Sequence, residues 1–204
     1  TLKRATAGED EGEQRPVNLE MGHGVMPTAT KKDFRNGSFM ETNNTFDLAI
    51  DGEGFFAVRL PNEETKYTRD GSFKLSVDDE EIMLVTSEGY IVLSEGDDEI
   101  VIERELKDIN IDSLGCITAM DEDGEMEEIG RIGLFNFMNP EGLLSEGLNL
   151  YSQTTASGEA EPMEDEEMNS RIWQGDLESS NVQVVDEMVK MITAHRAYEI
   201  NSKT

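Results

Sequence analysis

Between residues 33 and 139 the sequence is a succession of short apolar runs that end at turn-forming residues, and this texture constrains the fold most strongly. The run at residues 46–50 ends at Asp51 and Gly52, and the run at 54–60 ends at Pro61. Runs of four to eight β-branched and aromatic residues between such turn residues are typical of strands. Many short strands at this spacing predict an antiparallel β domain over residues 33–139.

One turn in this region has a specific sequence signal. Residues 67–69 and 72–75 flank the pair Asp70-Gly71, and both of these residue types tolerate positive φ. The pattern predicts a β-hairpin centred on Asp70 and Gly71. Further strands are predicted at residues 82–86, 90–93, 100–104, 117–120 and 131–138.

The segments outside the β domain differ from it in composition. Residues 1–32 are polar and predict an extended arm. Residues 140–178 predict an extended return segment, whose acidic stretch at 159–167 indicates solvated surface. The sequence opens at Thr1 and stops at Thr204 within a helical pattern, and we expect it to be part of a longer chain.

Residues 179–204 predict an amphipathic helix that begins with a capping box formed by Ser180 and Gln183. Apolar residues recur at steps of three and four along two stripes rather than one. The first stripe is Val182, Val185, Val189 and Ile192, and the second is Val184, Met188, Met191, His195 and Tyr198. Leaving six such side chains in water would forgo about 10 kcal/mol. The helix therefore needs partners, which are either its own β domain or other helices in a bundle or coiled coil.

The charge of the chain excludes several classes of function. There are 45 acidic and 17 basic residues, which gives a formal net charge of −28. Phosphates and anionic lipids would be repelled, so we expect neither nucleic-acid binding nor electrostatic membrane docking. One cysteine and two histidines give no disulfide framework and no cysteine- or histidine-rich metal site. No apolar run approaches the length of a membrane span.

Motifs that could carry chemistry are weak. Gly52, Gly54 and Ala57 match G-x-G-x-x-A, but a strand-like run follows them where a dinucleotide site requires a helix. Asp121, Asp123 and Gly124 resemble part of a calcium loop without its closing glutamate. We therefore predict no catalytic residue, no cofactor and no metal site, and no enzymatic activity.

Read in order, the motifs resemble one family, over about residues 28–204. They are residues 46–56 (FDLAIDGEGFF), 67–73 (YTRDGSF), 84–90 (LVTSEGY), 139–143 (NPEGL), 147–151 (GLNLY), 155–158 (TASG), 175–182 (GDLESSNV), 187–192 (EMVKMI) and 196–203 (RAYEINSK). This ordered set resembles the flagellar basal-body rod and hook proteins. The distal rod branch is the most similar, and the proximal rod and hook branches remain alternatives.

The resemblance implies a structural role in the bacterial flagellum. Members of this family leave the cell through the flagellar type III export apparatus and assemble helically into a hollow shaft that transmits motor torque. Their terminal helices pair into an inner coiled-coil tube surrounded by β domains, and the N-terminal helix is absent from this sequence. The implied partners are copies of the same chain and neighbouring rod and hook proteins, in the basal body outside the cytoplasmic membrane.

From the helical stripes we predict that the assembly interface comprises Val182, Val185, Met188, Val189, Met191, Ile192 and Tyr198. Two less favoured hypotheses are a secreted β module that binds a glycan or protein, for which Trp173 is the only tryptophan, and an oxidoreductase based on the Gly52 motif. The strong negative charge predicts that assembly weakens at low ionic strength.

Overall fold

The computed structural model describes residues 31–78, 81–102, 107–121, 125–163 and 170–202. Within these ranges the protein is mostly strand with a single α-helix, which confirms the predicted fold class. The helix, α1, covers Val184–Ser202, and a short 3₁₀ turn covers Pro140–Gly142. The strands are β1 Phe39–Glu41, β2 Leu48–Asp51, β3 Phe55–Arg59, β4 Thr65–Thr68, β5 Phe73–Asp78, β6 Glu81–Thr86, β7 Ile91–Val92, β8 Val101–Ile102, β9 Lys107–Ile111, β10 Cys116–Met120, β11 Met126–Arg131, β12 Leu134–Phe137, β13 Leu144–Gly147, β14 Leu150–Ser152, β15 Ala160–Pro162, β16 Arg171–Gln174 and β17 Asp176–Glu178.

Ten of these strands form one antiparallel sheet. Its main path runs β13-β14-β4-β3-β7-β6-β5, while β12 joins β3 to β15 and β8 joins β6. Strands β11-β10-β9 form a three-stranded sheet, and the pairs β16-β2 and β1-β17 complete the described sheets. Strands β1, β9 and β11 were not predicted from the sequence, because each contains only one or two large apolar residues among polar ones.

The core forms on both faces of β3, because successive strand residues point to opposite sides of a sheet. Phe56 and Val58 lie in one buried cluster, and Phe55 and Ala57 lie in another. Edge-to-face aromatic pairs stabilise both clusters, with Phe56 packing on Phe73 at a centroid distance of 5.1 Å. A strand buried on both faces explains why residues 55–58 are apolar without alternation.

The predicted hairpin at Asp70 and Gly71 is wrong. Strand β4 pairs with β3 and β14, whereas β5 pairs with β6, so the two strands that flank this turn are not partners. The Asp70 Oδ1 atom accepts hydrogen bonds from the backbone N–H and the hydroxyl of Ser72. This local turn directs the chain toward β2, where the Leu48 N–H donates to the Gly71 carbonyl at 3.0 Å.

The segment predicted to be an extended return, residues 140–178, contributes five of the short strands. Strand β14 pairs with β4, β15 with β12, β16 with β2 and β17 with β1. Strands β14 to β17 therefore each add to an element that precedes the return segment, while β13 pairs with β14. The predicted arm at 1–32, apart from residues 31 and 32, lies outside the described residues, as do parts of the calcium-like motif and of the acidic stretch.

Candidate assembly surface

Helix α1 is exposed along its whole described length. The seven predicted interface residues range from 52% exposed at Ile192 to 72% exposed at Met191 and Tyr198. Val184 and Ile200 are also exposed and extend the same apolar surface. The alternative that the helix buries its stripes on its own β domain is therefore wrong. We call the seven predicted residues the assembly face.

The polar residues of α1 are engaged within the helix itself. The Lys190 ammonium lies 2.7 Å from Glu187 Oε1, and this hydrogen bond raises the pKa of Lys190. The hydroxyl of Thr193 donates to the Val189 carbonyl, and His195 Nδ1 lies 3.8 Å from Glu199 Oε1. His195 is thus an exposed helix residue on the second stripe rather than part of a catalytic arrangement.

The start of the helix differs from the predicted capping box. The helix begins at Val184, and the Gln183 carbonyl accepts the N–H of Glu187 at 3.2 Å. The Ser180 hydroxyl accepts the N–H of Val182, one residue short of the N–H that a capping box requires. Val182 therefore precedes the helix, although its side chain is exposed beside the rest of the assembly face.

The segment that leads into the helix is fixed to the β domain by backbone pairing. Strand β17 pairs with β1 through the registers Phe39↔Glu178, Met40↔Leu177 and Glu41↔Asp176. The pairing continues beyond the strand, since the Ser179 N–H donates to the Ser38 carbonyl at 2.8 Å. The Asn181 amide then donates to the carbonyls of Asp33 and Arg35.

We call these paired segments, residues 33–41 and 176–181, the helix root. Arg69 is the charged residue at the centre of its contacts. Its guanidinium donates to Glu178 Oε2 at 3.0 and 3.1 Å, and also to the carbonyls of Gly52 and Gly54. Both side chains are largely buried, with 13% of Arg69 and 12% of Glu178 exposed. The other carboxylate oxygen of Glu178 accepts the N–H of Gly37. Sequence reasoning did not single out this pair, because no periodicity links residues so far apart.

An open cleft of about 410 Å³ adjoins the helix root. Its walls include Phe34, Asn149, Tyr151 and Asn181, together with Arg69 and Glu178, which already pair with each other. Its other charged side chains are also engaged, since Arg35 pairs with Asp33, and Asp70 accepts hydrogen bonds from Ser72 and Asn149. Among the described residues, no group of three or more histidine, cysteine or carboxylate side chains is placed to hold a metal ion.

The described residues give no structural support to the oxidoreductase and secreted-module hypotheses. Strand β3 begins at Phe55, directly after Gly54, so a strand follows the two glycines where a dinucleotide site would need a helix. Trp173 is half exposed, and its indole N–H lies 3.4 Å from Asp51 Oδ2. No described helix combines the length and the apolar character that a membrane span requires.

Comparison with known proteins identifies the family. The profile for the flagellar hook protein FlgE/F/G D1 domain matches residues 49–119, and that for the flagellar basal body rod FlgEFG protein C-terminal region matches residues 174–204. The flagellar basal-body rod protein FlgG of Borreliella burgdorferi is 41% identical over all of this chain and 76% of its own length. This chain belongs to the flagellar rod and hook protein family.

Other relatives indicate the branch. FlgG of Buchnera aphidicola (strain Sg) is 39% identical and FlgG of Caulobacter vibrioides is 35% identical, each over all of this chain and 76% of the relative. The chain resembles the FlgG, or distal rod, branch most, as predicted, and the proximal rod, hook and secreted-module alternatives are not favoured. A Helicobacter pylori hook protein FlgE2 structure is also similar, at 21% identity and a TM-score of 0.34, over 59% of this chain and 32% of that one.

Membership of this family gives the exposed helix a context. The chain is a structural subunit of the flagellar basal-body rod, located in the basal body, and it assembles with other rod and hook proteins. The C-terminal family match covers α1 and strand β17, and the D1 match covers much of the large sheet.

Proposed function

We propose that this rod subunit self-assembles helically through the assembly face of α1, which packs against helices of sister copies and of neighbouring rod and hook subunits. The observation that carries the proposal is the exposure of every predicted interface residue. Burial of six of these side chains would contribute about 10 kcal/mol, whereas an isolated helix of this length is only marginally stable in water.

The shape of the apolar surface favours contact with more than one helix. Two stripes lie side by side on α1, and a single neighbour covers only one stripe of a helix. A subunit held on two sides belongs to a continuous wall rather than to a closed pair. Head-to-tail contacts of this kind extend into a helical assembly when the rotation between subunits does not close. The assembly is then a hollow shaft that transmits torque.

The root described above gives the helix a mechanical connection to the β domain. Strand pairing between β1 and β17 and the buried Arg69–Glu178 pair connect α1 to the large sheet. Force applied to the helical wall would pass into the β domain through these contacts. This coupling is consistent with an inner helical layer and an outer β layer, as the resemblance implies.

We also propose that the subunit reaches the rod through the flagellar type III export apparatus without a cleaved signal. The support for this step is the family relationship alone. It requires the chain to pass through the apparatus unfolded, so a variant that fails in assembly has to be tested for export separately.

A pair of double variants tests the assembly face. Val185→Lys with Ile192→Lys places two charges on the apolar stripe, while Thr193→Lys with Asn201→Lys adds the same charge to the polar side of the same helix. Lysine is a good helix former, so both variants retain α1. We expect the first variant, introduced into the chromosomal gene, to abolish swimming and the second to swim.

Two further measurements complete the test. At low ionic strength, where assembly of the parent protein is weakest, the thermal unfolding of both purified variants should match the parent, because all four side chains are exposed. Immunoblots of secreted protein should show that both are exported. Normal swimming of the Val185/Ile192 variant would refute the proposed interface, and loss of swimming in both variants would show that the helix is sensitive to charge on any side.

A further inference from the structure

The negative charge of the protein is confined to one part of the chain. Residues 33–178 contain 37 acidic and 9 basic residues, which carry the whole net charge of −28. Residues 1–32 and 179–204 together contain 8 acidic and 8 basic residues, so they are neutral. Acidity is therefore not a uniform property of the chain. It belongs to the segment that forms the sheets, which we call the acidic body.

The acidic body cannot neutralise itself. Its 9 basic residues can offset only 9 of its 37 negative charges, however they pair, so a net charge of −28 remains on the segment. Two of these basic residues each lie near two carboxylates. Lys66 pairs with Glu64 and Glu146, and Arg59 lies near Asp97 and Glu99. Positive charge from outside the segment therefore has to balance most of its negative charge.

The strand register also brings acidic positions together in the β5-β6 hairpin. Asp78 and Glu81 are backbone partners there, and Asp79 and Glu80 connect them in the sequence. Like charges at directly opposed positions destabilise a strand pair. On β11, Glu127 and Glu128 are both exposed and lie on opposite faces of the strand, so they add negative charge to both faces.

We infer that the acidic body depends on dissolved cations for its stability. The counter-ions form a diffuse layer over the body and do not occupy a discrete site. Self-repulsion of a highly charged surface destabilises the compact state. The Debye length falls from about 30 Å at 0.01 M salt to about 3 Å at 1 M. At 1 M salt the repulsion therefore acts only between carboxylates that nearly touch.

Thermal unfolding as a function of salt tests the inference. The measurement uses full-length protein that carries Val185→Lys and Ile192→Lys, because salt-driven assembly would otherwise raise the midpoint by mass action. We expect the midpoint of the body to rise by about 5 °C or more between 0.01 M and 1 M NaCl. An unchanged or lower midpoint in 1 M NaCl would overturn the inference, whether or not the assembly face is correct.

Two charge variants in the same background locate the effect. Asp78→Asn with Glu81→Gln removes the opposed pair of the β5-β6 hairpin and should raise the midpoint at low salt, with a gain that disappears at high salt. Asp186→Asn with Glu199→Gln removes two carboxylates from the neutral segment 179–204 and should leave the midpoint unchanged at both salt concentrations. A gain that persists at high salt, or an equal gain in the helix variant, would contradict the assignment of the repulsion to the body.

The identity of the cation provides the last control. If the counter-ions are diffuse, MgCl2 and NaCl at equal ionic strength should give similar midpoints. A much higher midpoint with MgCl2 would show a bound divalent ion and would overturn the diffuse mechanism.

Discussion

The guanidinium of Arg69 lies 3.0 Å from Glu178 Oε2, and this contact joins two residues that are 109 positions apart in the chain. Arg69 follows β4 in the large sheet, and Glu178 ends β17, just before the segment that leads into α1. The pair therefore connects the large sheet to the segment that leads into α1. It is also accompanied by donations from Arg69 to three backbone carbonyls, those of Ile50, Gly52 and Gly54.

Loss of Arg69 should be strongly destabilising. Arg69→Ala leaves the Glu178 carboxylate largely buried without its charge partner, and it removes the donors to the carbonyls. Removing one member of a buried pair costs about 3–5 kcal/mol. Urea unfolding should show this loss, and Glu178→Gln, which keeps a hydrogen-bonding side chain, should cost less. Equal costs for the two variants would show that the charge of Glu178 is the dominant contribution.

Gly71 should not accept a side chain. A Cβ atom there would lie 1.8 Å from the Leu48 carbonyl oxygen, which is backbone and cannot move aside without disturbing β2. Gly71→Ala should therefore lower the free energy of unfolding by several kcal/mol, as overpacking does in a tight core. Gly130→Ala is the matched control, because its Cβ would meet open space. Similar stability of the two variants in urea would contradict the close approach of residues 71 and 48.

The thiol of Cys116 should react slowly. Its hydrogen bond to Glu128 raises its pKa to about 11, so little thiolate is present at pH 9. Compared with an ordinary cysteine, alkylation by iodoacetamide at this pH should be about 50-fold slower, in proportion to the thiolate fraction. Glu128→Gln should restore most of the rate, whereas Glu127→Gln, one residue away, should not. A fast reaction in the parent protein would show that the hydrogen bond does not persist in solution.

The stability that Lys66 provides should depend on pH in both directions. Burial alone would lower the Lys66 pKa, but hydrogen bonds to Glu146 and Glu64 outweigh it, and the pKa is raised. A raised lysine pKa contributes stability below its ordinary value of 10.5, and that stability is lost as pH rises through the folded pKa. The pKa of Glu146 is lowered by hydrogen bonds from Ser152 and Lys66, and that of Glu64 by Lys66. Their contribution is present above the ordinary value of 4.5 and is lost in acid.

Comparison of Lys66→Met with the parent protein tests this dependence. Methionine fills a similar volume in this buried position but cannot donate to Glu146 or Ser152. The difference in unfolding free energy should be largest near neutral pH and should shrink below pH 4.5 and above 10.5. A difference that stays constant across this range would assign the role of Lys66 to packing alone.

Local patterns were enough to predict much of the fold. Strands β3, β6 and β10 were found from short apolar runs, and α1 was found from steps of three and four residues. The two stripes on α1 also led to the predicted assembly face, whose residues the structure leaves exposed. Periodicity works in these cases because it reports which side of an element is apolar, and this depends only on residues close together in the chain.

Pairing between distant strands could not be derived in this way. Asp70 and Gly71 have the composition of a hairpin turn, yet the strands beside them pair with β3, β14 and β6 instead of with each other. The side chain of Asp70 caps a local turn, and that turn sends the chain toward Leu48. Asp70 and Gly71 could form either a hairpin turn or this local turn. The choice depends on which strand is available to pair with the next segment, and the turn sequence does not contain that information.

The sequence by itself determined the strand-rich class, the apolar face of the helix and the concentration of acidic residues between positions 33 and 178. Only the tertiary structure decided that α1 is exposed and that its root is fixed by β1, β17 and the Arg69–Glu178 pair. The physical reason is the range of the interactions. Helix and strand periods arise between near neighbours, whereas a buried ion pair forms only after a folded sheet has excluded water from both partners.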